Sequence, residues 1–145
     1  VYGPRQRPDM AFLRFMEALV NDEEIEIFGD GEQTRDFTYV SDVVDGTVKA
    51  ASADVAGQII NLGGGSRATV NRVLATLEEI SGITARRRFL PAAPGDPRHT
   101  GASINVARER LGWEPRVSLR EGLTRQWRWF QESRETATAS ETSSP

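Results

Sequence analysis

The sequence predicts a fold of the α/β or α+β class, and three observations lead to this prediction. Apolar residues recur every three or four positions in four segments, which is the spacing of one face of an α-helix. Short runs bounded by glycine or proline, most of them rich in β-branched or aromatic residues, predict strands. The two kinds of segment alternate along the 145 residues, which is typical of folds that mix helices and strands.

Five helices are predicted, the fourth of them short. The first covers residues 9 to 21, where apolar side chains lie at positions i, i+3, i+4, i+7 and i+8 counted from Phe12. The other four are placed by residues that typically start or end a helix. These residues are Ser41, Thr69, Ser103, the capping box of Ser118 with Glu121, and the closing glycines Gly82 and Gly112.

Four short strands are predicted, at residues 25 to 28, 37 to 40, 58 to 62 and 86 to 90. The run Gln-Ile-Ile-Asn-Leu at 58 to 62 is the strongest candidate for a buried strand, and it leads directly into three glycines. From residue 132 to 145 the chain offers no apolar side chain larger than alanine. Such a segment cannot bury enough surface to offset its ordering entropy. We therefore expect a folded unit at residues 1 to 131 and a disordered tail at 132 to 145.

Composition excludes several classes of protein and site. Cysteine is absent, so there are no disulfides, thiolate metal sites or cysteine nucleophiles. The net charge of −3 gives no reason to expect binding to nucleic acid or to an anionic membrane. No apolar run approaches the roughly 18 residues of a membrane span, and no signal peptide is recognisable, so a cytoplasmic location is expected. The first residue is Val, which suggests a truncated, processed or split protein.

Catalytic signatures are also missing from the sequence. The residue four positions before the single lysine, Lys49, is Asp45, so the chain has no Tyr-x-x-x-Lys pair. No three glycines have the spacing of a dinucleotide fingerprint, and no His, Asp and Glu spacing suggests a metal site. Glycines 63 to 65 follow a predicted strand and can be interpreted as a tight turn or as a phosphate-binding loop. No acidic residue ends a second strand about 20 residues on, which favours the turn.

Two arginines in glycine-bounded loops are the candidate anion-binding residues. Arg35 follows Gly-Asp-Gly-Glu-Gln-Thr, and Arg98 follows Pro-Gly-Asp-Pro. Each has acidic neighbours that can hold its side chain, and a guanidinium suits bidentate recognition of phosphate. Considered singly, an arginine in such a loop is more often an ordinary surface residue.

Taken together, these motifs resemble a known family. The segments V-Y-G-P-R-Q, G-D-G-E-Q-T-R-D-F-T-Y-V, N-L-G-G-G and P-G-D-P-R-H occur in this order, and L-G-W-E-P-R-V-S-L-R-E-G-L closes the chain. They are similar to the C-terminal half of extended short-chain dehydrogenases. This family comprises NAD-dependent nucleotide-sugar epimerases, 4,6-dehydratases and UDP-glucuronate decarboxylases. The similarity covers roughly residues 1 to 131, and the N-terminal Rossmann half has no counterpart in the chain.

The resemblance implies a set of ligand contacts. Arg35 and Arg98 are expected to reach the diphosphate or ribose of a nucleotide-sugar, and Phe28 to lie beside the base. The residues implied to contact the substrate are Arg35, Arg98, Asn61, Phe28, Met10, Ala11 and Phe12, and those implied to lie near the cofactor are Tyr2, Gly3 and Pro4. No catalytic residue maps to this chain, because the tyrosine, the lysine and the NAD fingerprint belong to the N-terminal half.

The resulting interpretation is a substrate-binding lobe of an enzyme, an isomerase or lyase, that acts on UDP- or dTDP-sugars. NAD is expected to bind the missing half, and the lobe alone is expected to be inactive. Its expected partners are the nucleotide-diphosphate sugar and either that Rossmann half or further copies of the chain. Two alternatives stay open: a stand-alone anion- or nucleotide-binding interaction module without enzymatic activity, and a genuine dinucleotide loop at glycines 63 to 65.

Overall fold

A computed structural model describes residues 1 to 141 of the chain, with the side chains of residues 1 to 136. The helices are α1 (Ala11–Val20), α2 (Val40–Ser52), α3 (Val70–Ser81), α4 (Asn105–Leu111) and α5 (Leu119–Glu141). The strands are β1 (Glu24–Phe28), β2 (Thr34–Phe37), β3 (Ser66–Thr69) and β4 (Arg86–Leu90). Helices and strands alternate, and the predicted α/β class is confirmed.

The described strands form two separate pairs. β1 and β4 are parallel, with Phe28 opposite Leu90 at their carboxyl ends. β2 and β3 are antiparallel, with Arg35 opposite Ala68. Because parallel strands need a long crossover, the segment between β1 and β4 contains β2, α2, β3 and α3. The loops that follow β1 and β4 therefore leave the sheet at the same edge.

The main hydrophobic core lies between α1, α3, α5 and β1. Its largest fully buried side chains include Met16, Ile27, Leu74, Leu77 and Leu123. A smaller second cluster, defined by Ile104, Ala107 and Trp113, packs against one side of α2. The Trp113 indole donates a hydrogen bond to the Asp42 carbonyl at 2.9 Å, which connects the second cluster to α2.

The predicted capping residues of α3 and α5 are confirmed. The Thr69 hydroxyl accepts the Arg72 N–H at 3.1 Å at the start of α3, and Gly82 ends that helix in the left-handed conformation with φ 72°. The Ser118 hydroxyl accepts the Glu121 N–H at 3.2 Å at the start of α5. These bonds satisfy backbone groups that have no partner inside the helix.

Two of the predicted strands are wrong: one is absent among the described residues, and the other is shifted along the sequence. Residues 58 to 62 form no strand among the described residues, and the Ile59 side chain is 91% exposed. The apolar run is strand-like, but it pairs with no strand among the described residues, and Ile60 and Leu62 pack against the Trp113 cluster instead. The strand predicted at 37 to 40 occupies Thr34–Phe37 instead, and Tyr39, not Ser41, is the N-cap of α2.

The disordered tail predicted from residue 132 is also wrong over part of its length, because α5 continues to Glu141. The helix is already nucleated by its packed first turns, so each added residue costs little. The hydroxyls of Ser133 and Thr136 bond to the carbonyls of Trp129 and Glu132 at 2.8 and 2.9 Å. Residues 142 to 145 of that prediction lie outside the described residues. No helix of the described chain has both the length and the apolar character that a membrane crossing requires.

Candidate functional site

The two predicted arginine loops meet at the carboxyl edge of the β1–β4 pair. The first loop, residues 29 to 33, follows β1, and the second, residues 91 to 104, follows β4. The Gly29 N–H donates to the Leu90 carbonyl at 2.9 Å where both loops leave the sheet. Ligands of open parallel sheets bind at this edge, so the topology brings the two candidate residues to a suitable place.

Backbone hydrogen bonds hold the second loop against the start of β2. The Thr34 N–H donates to the Arg98 carbonyl at 2.9 Å, and the Thr100 N–H donates to the Thr34 carbonyl at 3.1 Å. The Thr34 hydroxyl and the Nδ1 of His99 lie 2.8 Å apart. A single parallel bridge between Thr34 and His99 therefore adds the second loop to the edge of the β2–β3 pair.

Each arginine forms an ion pair with an acid from another segment, and Arg35 itself lies in β2 and not in the predicted loop. Arg35 of β2 pairs with Asp96 of the second loop, and its Nη1 donates to the Thr34 carbonyl at 2.9 Å. Arg98 of the second loop pairs with Asp30 of the first at 2.8 Å. The Arg98 side chain is 62% exposed, whereas that of Arg35 is 26% exposed. The hydrogen bond from Arg98 holds the pKa of the Asp30 carboxyl below its usual value.

The glycine segment at 63 to 65 does not have the form of a dinucleotide loop. It leads into strand β3 and not into a helix, and Gly64 adopts φ 73°. The Gly64 N–H, which a phosphate would need, donates instead to the Asp36 carboxylate at 2.7 Å. The interpretation as a tight turn is supported, and the residues present do not fit the pyrophosphate of NAD. Asn61, just before this turn, is exposed.

A cavity of about 490 Å³ brings two of the predicted substrate contacts together. Its lining includes Ala11 at the start of α1 and Phe28 at the end of β1, together with Gln33. The Gln33 amide donates to the Phe28 carbonyl at 2.9 Å and fixes this wall. Phe12 does not line it, because its ring is buried against Tyr2 at 5.1 Å. Phe12 can therefore contribute only its backbone to a ligand.

A second cavity, of about 500 Å³, is lined by the predicted cofactor-side residues Tyr2, Gly3 and Pro4 and by Met10. Tyr2 is only 2% exposed, and its hydroxyl faces the Ser118 carbonyl at 3.4 Å. Burial raises the pKa of this phenol, so it stays protonated. Tyr2 is thus part of the core, and neither cavity is lined by Arg35 or Arg98.

Comparisons with known proteins show which proteins this chain resembles. Residues 1 to 63 match the NAD dependent epimerase/dehydratase family. A UDP-glucuronate 4-epimerase of Thermodesulfobacterium geofontis is 42% identical over 92% of this chain and 41% of its own length. UDP-glucuronic acid decarboxylase 1 of Arabidopsis thaliana is 36% identical over 86% of this chain and 29% of its own.

The solved structures agree in fold. The crystal structure of UDP-glucuronic acid 4-epimerase from Bacillus cereus in complex with UDP-glucuronic acid and NAD superposes with a TM-score of 0.87 at 43% identity. The match covers 91% of this chain and 43% of the Bacillus cereus chain.

The chain belongs to the NAD-dependent epimerase/dehydratase family. The expected resemblance is confirmed, and the chain corresponds to the C-terminal part of its relatives. It spans about two fifths of the length of the epimerases that it matches.

Sequence reasoning missed three polar residues that organise the loops and helices of this chain. Asp36 accepts backbone N–H groups from two loops. The Asn71 amide donates to the Asp30 carbonyl at 3.0 Å and to the Glu32 carboxylate at 2.6 Å, which anchors the first loop to α3. Gln126, fully buried in α5, donates to the Gln6 side chain at 3.0 Å. Only Asp36 had a visible signal, since it directly follows Arg35 in the sequence.

Proposed function

We propose that this chain is the nucleotide-diphosphate-sugar-binding part of an NAD-dependent sugar epimerase, 4,6-dehydratase or decarboxylase. The crossed pairing of Arg35 and Arg98 at the carboxyl edge of the β1–β4 pair carries this proposal. Arg35 of β2 and Arg98 of the second loop each form an ion pair there, and Gln33, between β1 and β2, lines the cavity together with Ala11 and Phe28. The relative from Bacillus cereus, solved with UDP-glucuronic acid and NAD, supports a UDP-sugar as the ligand.

In the proposed complex, Arg35 and Arg98 donate charge-assisted hydrogen bonds to the diphosphate oxygens. Each bond of this kind contributes about 1.5–3 kcal/mol. Asp96 and Asp30 orient the guanidinium planes, which have five N–H donors each and retain donors for a ligand. Ala11 and Phe28 shield the base from water, and the exposed Asn61, just before the glycine turn, provides a further polar contact.

The chain is proposed to supply no proton- or hydride-transferring group of its own. It contains no Tyr-x-x-x-Lys pair, and its glycine turn does not fit the pyrophosphate of NAD. NAD is proposed to bind the part of the whole enzyme that has no counterpart here. The roles of this chain are then to bind and orient the nucleotide and to keep water from the base.

Calorimetric titration tests the proposal directly. UDP and UDP-glucuronate should bind this chain, whereas NAD should bind with no measurable heat, and none of the sugars should be turned over. Micromolar affinity for NAD without affinity for UDP would contradict the proposal.

The alternative of a stand-alone interaction module is separated by complementation. In that case the chain binds nucleotide, but adding the cofactor-binding part of a close relative yields no epimerase, dehydratase or decarboxylase activity. On the proposed function, the same addition should restore turnover of a UDP-sugar.

A further inference from the structure

Asp36 joins three segments that lie far apart in the sequence. Its Oδ2 accepts the Gly64 N–H at 2.7 Å and the Ala102 N–H at 3.1 Å. One carboxylate oxygen therefore attaches both the glycine turn and the end of the second loop to strand β2. Hydrogen bonds from neutral donors to a charged acceptor are about twice as strong as those between neutral groups.

Each attached segment carries a residue of the proposed ligand site. Arg35 directly precedes Asp36 on β2, Asn61 lies three residues before Gly64, and Arg98 lies four residues before Ala102. Asp36 is thus the one described side chain that hydrogen-bonds both the turn after Asn61 and the loop after Arg98.

Close packing shows that the glycine turn is fitted to this contact. A Cβ added at Gly63 would lie 3.1 Å from the Asp36 carboxylate and 3.0 Å from the Ala102 Cβ. A Cβ at Gly65 would lie 2.9 Å from the Phe37 carbonyl oxygen. Because Gly63 and Gly65 have no side chains, their backbone can pack directly on β2. A side chain at either position would crowd this contact.

The other carboxylate oxygen of Asp36 is also removed from solvent. Asp36 Oδ1 is buried and has no hydrogen-bond partner among the described residues. A carboxylate in this position is costly unless its remaining oxygen is strongly bonded. The two backbone donors at Oδ2 provide that compensation.

We infer that Asp36 is a positioning residue that holds Arg35, Asn61 and Arg98 in register for the nucleotide diphosphate. This inference rests on the proposed function and deepens it. Asp36 does not contact the ligand in this arrangement; it sets the distance between the segments whose side chains do.

Hydrogen exchange of this chain tests the contact without any ligand. In Asp36→Ala, the Gly64 and Ala102 amides should exchange roughly tenfold faster or more, since both lose their acceptor. Asp36→Asn keeps an oxygen acceptor and should preserve most of their protection. The Leu74 and Leu77 amides of the core report global stability and should be unchanged. Equal exchange of Gly64 and Ala102 in all variants would overturn the inference.

Affinity for UDP, measured on the same variants, tests the positioning role. Asp36→Ala should weaken UDP binding by about tenfold, and Asp36→Asn should recover most of it. Asp45→Ala is the matched control, because Asp45 is exposed on α2 and pairs with Lys49 of the same helix at 3.2 Å. If the variant loops exchange faster while UDP binds as in the wild type, positioning is overturned and the proposed function stands. If the wild-type chain does not bind UDP, the proposed function itself fails, and the positioning role fails with it.

Discussion

Arg35 of β2 and Arg98 of the second loop each form an ion pair with an aspartate, and on the proposed function this pairing affects how an anion binds. An exposed ion pair contributes about 0–1 kcal/mol, whereas a charge-assisted bond to a phosphate oxygen contributes about 1.5–3 kcal/mol. On the proposed function, a diphosphate therefore competes with the aspartates for these guanidinium groups or binds their remaining N–H donors. Asp30 and Asp96 would then orient the two arginines without blocking the ligand.

The first prediction concerns these two arginines. Replacing Arg35 or Arg98 by alanine should reduce affinity for UDP-glucuronate by roughly 10- to 150-fold, corresponding to about 1.5–3 kcal/mol. Replacement by lysine should recover only part of the affinity, since an ammonium group does not reproduce the planar, bidentate guanidinium group. Isothermal titration calorimetry measures the effect on this chain.

Arg120→Ala provides the control for the loss of one arginine. Arg120 lies on the exposed face of α5 and pairs with Glu79 of α3, far from both loops in sequence. Its replacement should leave affinity for UDP-glucuronate unchanged. If all three substitutions had equal and negligible effects, the assignment of Arg35 and Arg98 as ligand-binding residues would be wrong.

The second prediction concerns the Asp30 carboxyl, whose pKa is held low by Arg98. Because the folded-state pKa is depressed, the ion pair stabilises the loops above the ordinary aspartate pKa of about 3.9. The contribution is lost as the pH falls through the lowered value. In Arg98→Ala, the pKa of Asp30 should rise toward the ordinary range, as followed by NMR titration of its side chain. An unchanged titration would show that the ion pair does not form in solution.

At the scale of single elements, the helices are specified mostly by local signals. Thr69 and Gly82 bracket α3 as a side-chain N-cap and a left-handed C-cap. Ser118 begins α5 in the same way. These contacts join residues at most four apart in the sequence, so they depend on the local sequence and not on distant segments.

The third prediction follows from the N-cap of α3. Thr69→Ala removes the acceptor of the Arg72 N–H and should lower the free energy of unfolding by about 0.5–2 kcal/mol. Thr84→Ala, in the exposed loop before β4, loses no described hydrogen bond and should have little effect. Urea denaturation of both variants gives the comparison. Equal losses at the two positions would show that the cap contributes nothing measurable.

At the scale of the whole molecule, one side of the chain remains apolar and open. Val44 and Val48, on the α2 face opposite Gly46, are 55% and 62% exposed. Among the described residues, the backbone of residues 58 to 62 has no hydrogen-bond partner beyond the turn bond of Gln58. Exposed apolar side chains and an unpaired backbone segment favour association with another chain.

The fourth prediction is that this chain self-associates at micromolar concentration. Sedimentation velocity should show species larger than a monomer, and a Val44→Ser, Val48→Ser double variant should shift the distribution toward monomer. The Ile59 to Leu62 amides should gain protection from exchange on association. A stable monomer in which those amides are already protected would show a self-sufficient lobe and would favour the interaction module over the enzyme part.

Much of the candidate site could be predicted from the sequence because its residues lie in motifs with recognisable spacing. Arg35 and Arg98 were found as isolated guanidinium groups in glycine-bounded loops, and the family resemblance connected them. Phe12 and Tyr2 were placed near the ligand but lie in the core, since motif position does not specify which way a side chain points. Asp36 was missed because its two partners lie 28 and 66 residues away.

The sequence by itself determined the presence of the helices, the caps of α3 and the N-cap of α5, the α/β class and the absence of a Tyr-x-x-x-Lys pair. Each of these depends on residues a few positions apart or on the residue types present. The tertiary structure alone decided that residues 58 to 62 pair with no described strand and that Arg35 pairs with Asp96 and Arg98 with Asp30. It also decided that Asp36 binds the glycine turn. Such contacts depend on which distant segments become neighbours, and no local pattern encodes that choice.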